Sequence, residues 1–208
     1  IYELPLQLHQ AGLDEAVIRR LGLKAAPANL DSWQNMVHGI LNPKHTIDIA
    51  VVGKYVELTE SYKSLNEALQ HGGIANEAKV ELEFIDSTRI EERGAEALLA
   101  GAHGILVPGG FGMRGTEGKI AAIRYAREKK LPFFGICLGM QMAAVEFARN
   151  VLGCTGANST EFDDRTAHPV IHLMEGQKGV TDKGGTMRLG AYACDLRAGS
   201  LAHKLYGK

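Results

Sequence analysis

The chain has 208 residues, which favours one domain with an appended segment, and its 45% of hydrophobic residues is enough for a sizeable core. A formal net charge of −1, the absence of an apolar run near the roughly 20 residues that span a bilayer, and a start unlike a signal peptide argue against nucleic-acid and membrane partners. Three cysteines without metal-ligand spacing predict no metal site and a reducing compartment, so we expect a cytoplasmic location.

Residues 1–45 are predicted to be a linker or interface segment. Leu6, Leu13, Val17 and Leu21 give it an amphipathic face that could dock on another surface. The alternative is an N-terminal helix packed on its own domain. Because the chain does not begin with Met, we expect it to be a fragment of a longer protein.

From residue 46 the sequence alternates between strand and helix patterns. Strands are predicted at 46–54, 80–86, 104–107 and 131–136, and helices at 61–71, 89–100, 116–130 and 138–153. Repeated units of this length predict an α/β fold with a doubly wound, mostly parallel sheet, whose ligands bind beyond the carboxyl ends of the strands. Further strands at 169–174 and 186–194 are predicted to form a hairpin-like insertion, and a short helix is predicted at 200–206.

Cys137 lies between the predicted strand at 131–136 and the helix at 138–153, and it is flanked by Gly135 and Gly139. The pattern G-x-C-x-G is the cysteine counterpart of a nucleophile elbow, in which a tight turn presents the side chain at a helix N-terminus. Helix-terminal amides favour the thiolate, which is the reactive form. The alternative is a buried structural cysteine. We predict that Cys137 is the catalytic nucleophile.

The run PGGFGMRG at 108–115 follows one predicted strand and precedes a helix. Its spacing fits neither a dinucleotide-binding fingerprint nor a phosphate-binding P-loop. Next to a thiolate, converging backbone N–H groups would serve as an oxyanion hole. We predict the donors to be the N–H groups of Gly110 and Leu138, against the alternative of a flexible turn.

Several motifs resemble the class I, or triad, glutamine amidotransferases. They are VGKY at 52–55, SYKSLNEAL at 61–69, LVPGGFGMRGTEGK at 106–119, GICLGMQ at 135–141 and NSTEF at 158–162. The resemblance covers about the whole chain. It implies a flavodoxin-like glutaminase domain over 46–208, in which a cysteine hydrolyses glutamine and supplies ammonia to another domain.

The resemblance also implies roles for particular residues and partners. Gly110, Phe111, Gln141 and Glu161 would bind glutamine, and Arg114 and Glu117 would contact the activator GTP. Lys54, Tyr62 and Lys63 would serve an interface, a nucleotide or only the fold. The ammonia would pass to an amidoligase domain of the same full-length chain, which uses ATP and Mg²⁺ to aminate UTP to CTP and assembles as a homotetramer.

One feature departs from the family pattern, which places a His and a Glu as H-x-E well beyond the cysteine. Neither His168, His172 nor His203 is followed two residues later by Glu. We therefore expect the domain to be incomplete at its C-terminus and the isolated chain to be nearly inactive. Two other hypotheses stay open: another cysteine-elbow α/β hydrolase or chaperone, and a non-catalytic binding or assembly module.

Overall fold

The structure is a computed structural model, which describes residues 1–54, 59–172 and 193–207. Two compact units are present, residues 1–172 and 173–208, and each is described by itself. In the part of the chain that the structure describes, none of the helices is long and apolar enough to cross a membrane.

Four parallel strands form the central sheet of the first unit. They are β1 (His45–Gly53), β2 (Ala78–Asp86), β3 (Gly104–Val107) and β4 (Phe133–Gly135), in the spatial order β2-β1-β3-β4. Gly53 pairs with Asp86, and Val107 pairs with Gly135. The strands therefore finish together at one edge of the sheet, and the order reverses between β1 and β3, where ligands bind in such folds.

Helices cover both faces of this sheet, as predicted for a doubly wound fold. The helices that follow β1 in the first unit are α4 (Lys63–Ala75), α5 (Ser87–Arg93), α6 (Ala95–Leu99), α7 (Thr116–Lys129) and α8 (Leu138–Asn150). On one face, Ala50 and Val52 of β1 join a core cluster with residues of α7 and α8. On the other, Ile47 and Ile49 line a hollow together with Leu69 of α4. Alternate residues of β1 thus point to opposite helical layers.

The N-terminal segment consists of α1 (Leu4–Gln10), α2 (Leu13–Leu21) and α3 (Asp31–Leu41). Tyr2 donates its hydroxyl to Glu67 of α4 at 2.8 Å, and Trp33 of α3 donates its indole N–H to the carbonyl of Tyr2 at 2.7 Å. The segment therefore contacts α4 within the first unit, as the alternative interpretation expected. It also keeps exposed leucines at positions 4, 13 and 21, so its role as an interface stays a prediction.

Two predicted helices differ from the observed ones. The helix predicted at 89–100 is divided into α5 and α6 by Gly94, whose φ of 82° and ψ of 154° are not helical. The helix predicted from Ser61 begins at Lys63, because a 3₁₀ turn at Thr59–Tyr62 precedes it. Neither difference moves the carboxyl ends of the strands.

The apolar run at 131–136 is typical of a strand that is covered on both faces, but the structure leaves one face of this strand exposed. Among the described residues, β4 is the last strand of the four-stranded sheet, and it spans Phe133–Gly135. The side chain of Phe134 is 64% exposed, while Phe133 packs against the core. An apolar run indicates a strand but does not distinguish a central position from an edge position.

The region after α8 contains two short strands, β5 (Asn158–Ser159) and β6 (Pro169–Ile171), which pair in parallel. The second strand of the predicted hairpin, at 186–194, lies outside the described residues as far as position 192, so the hairpin stays a prediction. In the second unit, α9 (Leu201–Tyr206) forms where a short helix was predicted. The hydroxyl of Ser200 accepts the backbone N–H of His203 at 3.1 Å and caps this helix.

Close packing between α5 and α7 gives a test of the fold. A Cβ on Gly118 of α7 would collide with the carbonyl oxygen of Ser87, whereas a Cβ on Gly72 of α4 would have open space. We expect Gly118→Ala to lower the unfolding free energy by about 1–3 kcal/mol through overpacking. The control Gly72→Ala should raise it by up to about 1 kcal/mol, since alanine favours a helix interior. Urea unfolding followed by circular dichroism measures both, and equal stability of the two variants would contradict the packing.

Candidate active site

The carboxyl ends of the four parallel strands bring together residues that are distant in sequence. Lys54 follows β1, Asp86 ends β2, the glycine-rich loop 108–115 follows β3, and Cys137 follows β4. Most of the predicted site residues therefore lie at one edge of the sheet, as expected for a parallel α/β fold.

Cys137 has the geometry of a nucleophile elbow. Its φ of 53° and ψ of −108° are unusual for a residue with a side chain, and it caps the N-terminus of α8. A Cβ on Gly139 would collide with the carbonyl oxygen of Val107, and a Cβ on Gly135 would lie 2.6 Å from the carbonyl carbon of Gly139. Both glycines are thus required for the close approach of backbone segments around the turn.

The thiol of Cys137 is accessible to solvent. The alternative of a buried structural cysteine is therefore wrong. Cys154 is partly buried and Cys194 is exposed, but neither lies at a strand-to-helix turn of the described structure.

The glycine-rich loop packs directly against Cys137. The position that a Cβ would take on Gly109 is 3.4 Å from Cβ and 3.9 Å from Sγ of Cys137. The same position on Gly110 is 3.7 Å from Cδ2 of Leu138. Leu138 opens α8, so its N–H has no partner one helical turn earlier. These contacts agree with an oxyanion hole, and the donor roles of Gly110 and Leu138 stay predictions.

Lys54, at the end of β1, forms hydrogen bonds with the glycine-rich loop. Its Nζ donates to the carbonyl oxygens of Phe111 at 2.7 Å and Gly112 at 3.0 Å. Burial lowers the pKa of Lys54 and nearby Arg114 lowers that pKa further, whereas Glu161 raises it. Gly112 has a φ of 78°, a conformation in which glycine is strongly favoured. The charge of Lys54 therefore fixes the conformation of the loop through its carbonyl groups.

The three other residues predicted to bind glutamine flank the same loop and elbow. The carboxylate of Glu161 accepts the N–H of Gly112 at 3.4 Å, which places it beside the loop. Gln141 lies one turn into α8 and donates its N–H to the carbonyl of Cys137 at 3.1 Å. Phe111 is 40% exposed at the top of the loop. Gln141 thus contacts Cys137 directly, whereas Phe111 and Glu161 lie in or beside the loop, and the binding roles of all three stay predictions.

The two residues predicted to contact GTP lie in different environments. The guanidinium of Arg114 donates to the carbonyl of Lys54 at 3.3 Å and lies 3.9 Å from Asp86. Both carboxylate oxygens of Glu117 accept Nη1 of Arg149 at 2.9 Å. Among the described residues, no group of three or more histidines, cysteines and carboxylates is arranged to hold a metal ion.

Sequence reasoning missed Lys119, whose side chain is only 1% exposed. A signal was present, because Lys119 precedes the buried Ile123 and Ala126 by four and seven residues on the same helical stripe. Lysine is almost never fully buried without a partner. Its position on an apolar stripe therefore distinguishes it from the solvated lysines of the chain.

The chain is similar in sequence to a known protein family and to several known proteins. The model of the class I glutamine amidotransferase family matches residues 57–207. A CTP synthase of Geotalea uraniireducens is 61% identical over 208 residues, and one of Bdellovibrio bacteriovorus is 56% identical over 209 residues. These alignments cover 100% and 99% of this chain, but the chain spans only 39% of each relative.

A solved structure is similar in fold as well as in sequence. It is described as the glutaminase domain of Trypanosoma brucei CTPS with bound acivicin. The two chains are 41% identical with a TM-score of 0.58, and the match covers 62% of this chain and 50% of that chain. The chain is thus a glutamine amidotransferase domain homologous to the glutaminase domain of CTP synthases.

The elbow predicts which cysteine reacts first with an electrophile. We expect iodoacetamide at substoichiometric amounts to modify Cys137 before Cys154 and Cys194, because Cys137 combines exposure with a helix N-terminus that favours the thiolate. Peptide mapping by mass spectrometry after short exposures measures the three rates. Cys194 is the internal control, since it is exposed without the elbow. Faster modification of Cys194 than of Cys137 would contradict the assignment.

Proposed function

The chain belongs to the class I glutamine amidotransferase family, and we propose that it is the glutaminase part of a CTP synthase. The observation that carries this proposal is the exposed thiol of Cys137 in a strained elbow, with the glycine-rich loop packed against it. The extent of the similarity to CTP synthases supports the more specific assignment.

The proposed reaction proceeds through a covalent intermediate. The thiolate of Cys137 attacks the carboxamide carbon of glutamine, and the carbonyl oxygen becomes negatively charged. When the C–N bond breaks, the nitrogen takes up a proton and leaves as ammonia, and a glutamyl thioester remains. Water then attacks the thioester carbon, so glutamate is released and the thiol is restored.

The N–H groups of Gly110 and Leu138 would stabilise the oxygen anion in both steps. The carboxylate of Glu161 would attract the ammonium of glutamine, since a charge-assisted hydrogen bond forms there. Phe111 and Gln141 would complete the pocket on either side of the elbow. Residues from the ends of β3 and β4 would thus hold the reacting carbon, and Glu161 would hold the far end of the substrate.

The proposed partner is an amidoligase domain of the same full-length chain, which would bind ATP and Mg²⁺ and form a homotetramer. That domain would use the ammonia to convert UTP to CTP. The N-terminal helices support a docking role. Leu8, Leu13 and Val17 line an apolar hollow of about 450 Å³ between α1 and α2. An apolar surface of this kind is typical of contacts between domains.

The proposed activator GTP would contact Arg114, whose exposed guanidinium suits a phosphate. Glu117 would have to leave the carboxylate–guanidinium pair with Arg149 to join such a contact. GTP binding at both residues would therefore break the Glu117–Arg149 ion pair that joins α7 to α8.

We also propose that the 208-residue chain alone releases little glutamate. Acylation and deacylation both need a base to move protons, and in this family a histidine held by a carboxylate does so. Among residues 1–54 and 59–172, no histidine side chain forms a hydrogen bond with Cys137.

The oxyanion donor can be tested at Gly110. In the full-length enzyme, Gly110→Pro removes the N–H, so we expect glutamine turnover to fall about 10²–10³-fold with a smaller change in KM. Gly110→Ala is the matched control. Its Cβ would make ordinary contacts of 3.7 Å to Leu138 and Lys119, and the N–H remains. Glutamate release measures kcat, and normal turnover by the proline variant would exclude this N–H as a donor.

In the proposal, one domain releases ammonia from glutamine and the other uses it, and this separation gives a second test. In the full-length enzyme, Cys137→Ala should abolish glutamine-dependent CTP formation and leave CTP formation from added ammonium chloride unchanged, because the thiol only generates ammonia. Cys154→Ala is the control, and both activities should persist in it. An equal loss of both activities in a folded Cys137→Ala enzyme would contradict the proposed function.

A further inference from the structure

Lys119 is a buried cation without a described partner. Its side chain is 1% exposed in α7, and the nearest charges that affect it are Lys54 and Asp86. In the described part of the chain, its ammonium forms no ion pair. A buried, unpaired charge is costly, and such a group persists where the surrounding structure holds it for a function.

The ammonium lies beside the glycine-rich loop. The position that a Cβ would take on Gly110 is 3.7 Å from Nζ of Lys119 and 3.7 Å from Cδ2 of Leu138. Lys119 therefore lies next to Gly110, whose N–H is one of the two predicted oxyanion donors. The preceding loop residue, Gly109, packs against Cys137 and its thiol.

From this geometry we propose that Lys119 is a positioning residue for glutamine hydrolysis, which holds the Gly110 segment and stabilises the negative charge that develops on the substrate oxygen facing the N–H of Gly110. This inference rests on the proposed glutaminase function. A fixed positive charge in a site with little water stabilises a developing anion strongly and needs no reorganisation during the reaction. The anion exists only in the transition state and the tetrahedral intermediate, so the effect falls on kcat and hardly on KM.

The environment of Lys119 places its pKa in a range where a change in its protonation can be observed. Burial and, to a smaller extent, the nearby charge of Lys54 together lower the pKa of Lys119 to about 8, while Asp86 opposes them. Elsewhere around α7, the carboxylate of Glu91 on α5 accepts the N–H of Gly118.

Two further charged groups on α8 face α7. Glu146 is bound by Arg127, and Arg149 by Glu117. The lysine is protonated below about pH 8, so the proposed stabilisation is present there and is lost as the pH rises through that value.

The test uses the full-length enzyme with Lys119→Met, Lys119→Arg and the control Lys129→Met, which changes an exposed lysine on the same helix. We expect Lys119→Met to lower kcat for glutamine about 10- to 100-fold with KM within about threefold. CTP formation from added ammonium chloride should be unchanged in all three variants. Lys119→Arg should retain more turnover than Lys119→Met.

The pH profile distinguishes this role from a structural one. Turnover of glutamine by the unchanged enzyme should fall above about pH 8, where Lys119 loses its proton. Lys119→Arg should remove this fall, because an arginine stays protonated. Lys119→Met should have a low turnover without the fall.

Several results would overturn the inference. They are a normal kcat for Lys119→Met, an equal loss of glutamine- and ammonia-dependent synthesis, and a fall above pH 8 that is unchanged in Lys119→Arg. If Lys119→Met does not fold, the profile of Lys119→Arg decides. An unchanged enzyme without glutaminase activity would instead refute the proposed function.

Discussion

The contact between the first turn of α8 and the backbone of β3 is the constraint on which the site depends. Gly139 approaches the carbonyl of Val107 so closely that no side chain fits between them. This approach forces the chain to turn sharply after Gly135, and Cys137 takes up a strained conformation as a consequence. The packing of α8 on the core, through Leu138, Met142 and Val145, supplies the free energy that holds the turn.

The parallel pairing of the strands places other loops close to the elbow at Cys137. Since the parallel strands finish at one edge, the loop after β3 packs against Cys137, and Lys54 at the end of β1 contacts that loop. Lys54 holds the carbonyl groups of Phe111 and Gly112, while Glu161 accepts an N–H of the same loop. The cationic Lys54 thus binds carbonyl oxygens of the loop, and the anionic Glu161 binds an N–H of the loop. These two charge-assisted contacts fix the loop conformation.

Helix α7 contributes to both the packing and the electrostatics of the site. Gly118 allows it to lie against the backbone of α5, and the next residue, Lys119, places a buried ammonium beside Gly110. Near its other end, Arg127 binds the buried carboxylate of Glu146 in α8 at 2.8 Å. Hydrogen bonding to Glu146 raises the pKa of Arg127, and this contact joins the two helices that flank the elbow.

The sequence by itself predicted the parallel α/β fold, the elbow at Cys137 and the glycine-rich loop, because hydrophobic periodicity and glycine spacing are local properties of the chain. Only the tertiary structure decided that Phe134 of β4 is exposed, that Gly94 divides a helix, and that Lys119 is buried beside Gly110. These features depend on which elements become neighbours. A local pattern shows that a residue faces inward, but the charge or backbone group that it meets there comes from a distant part of the chain.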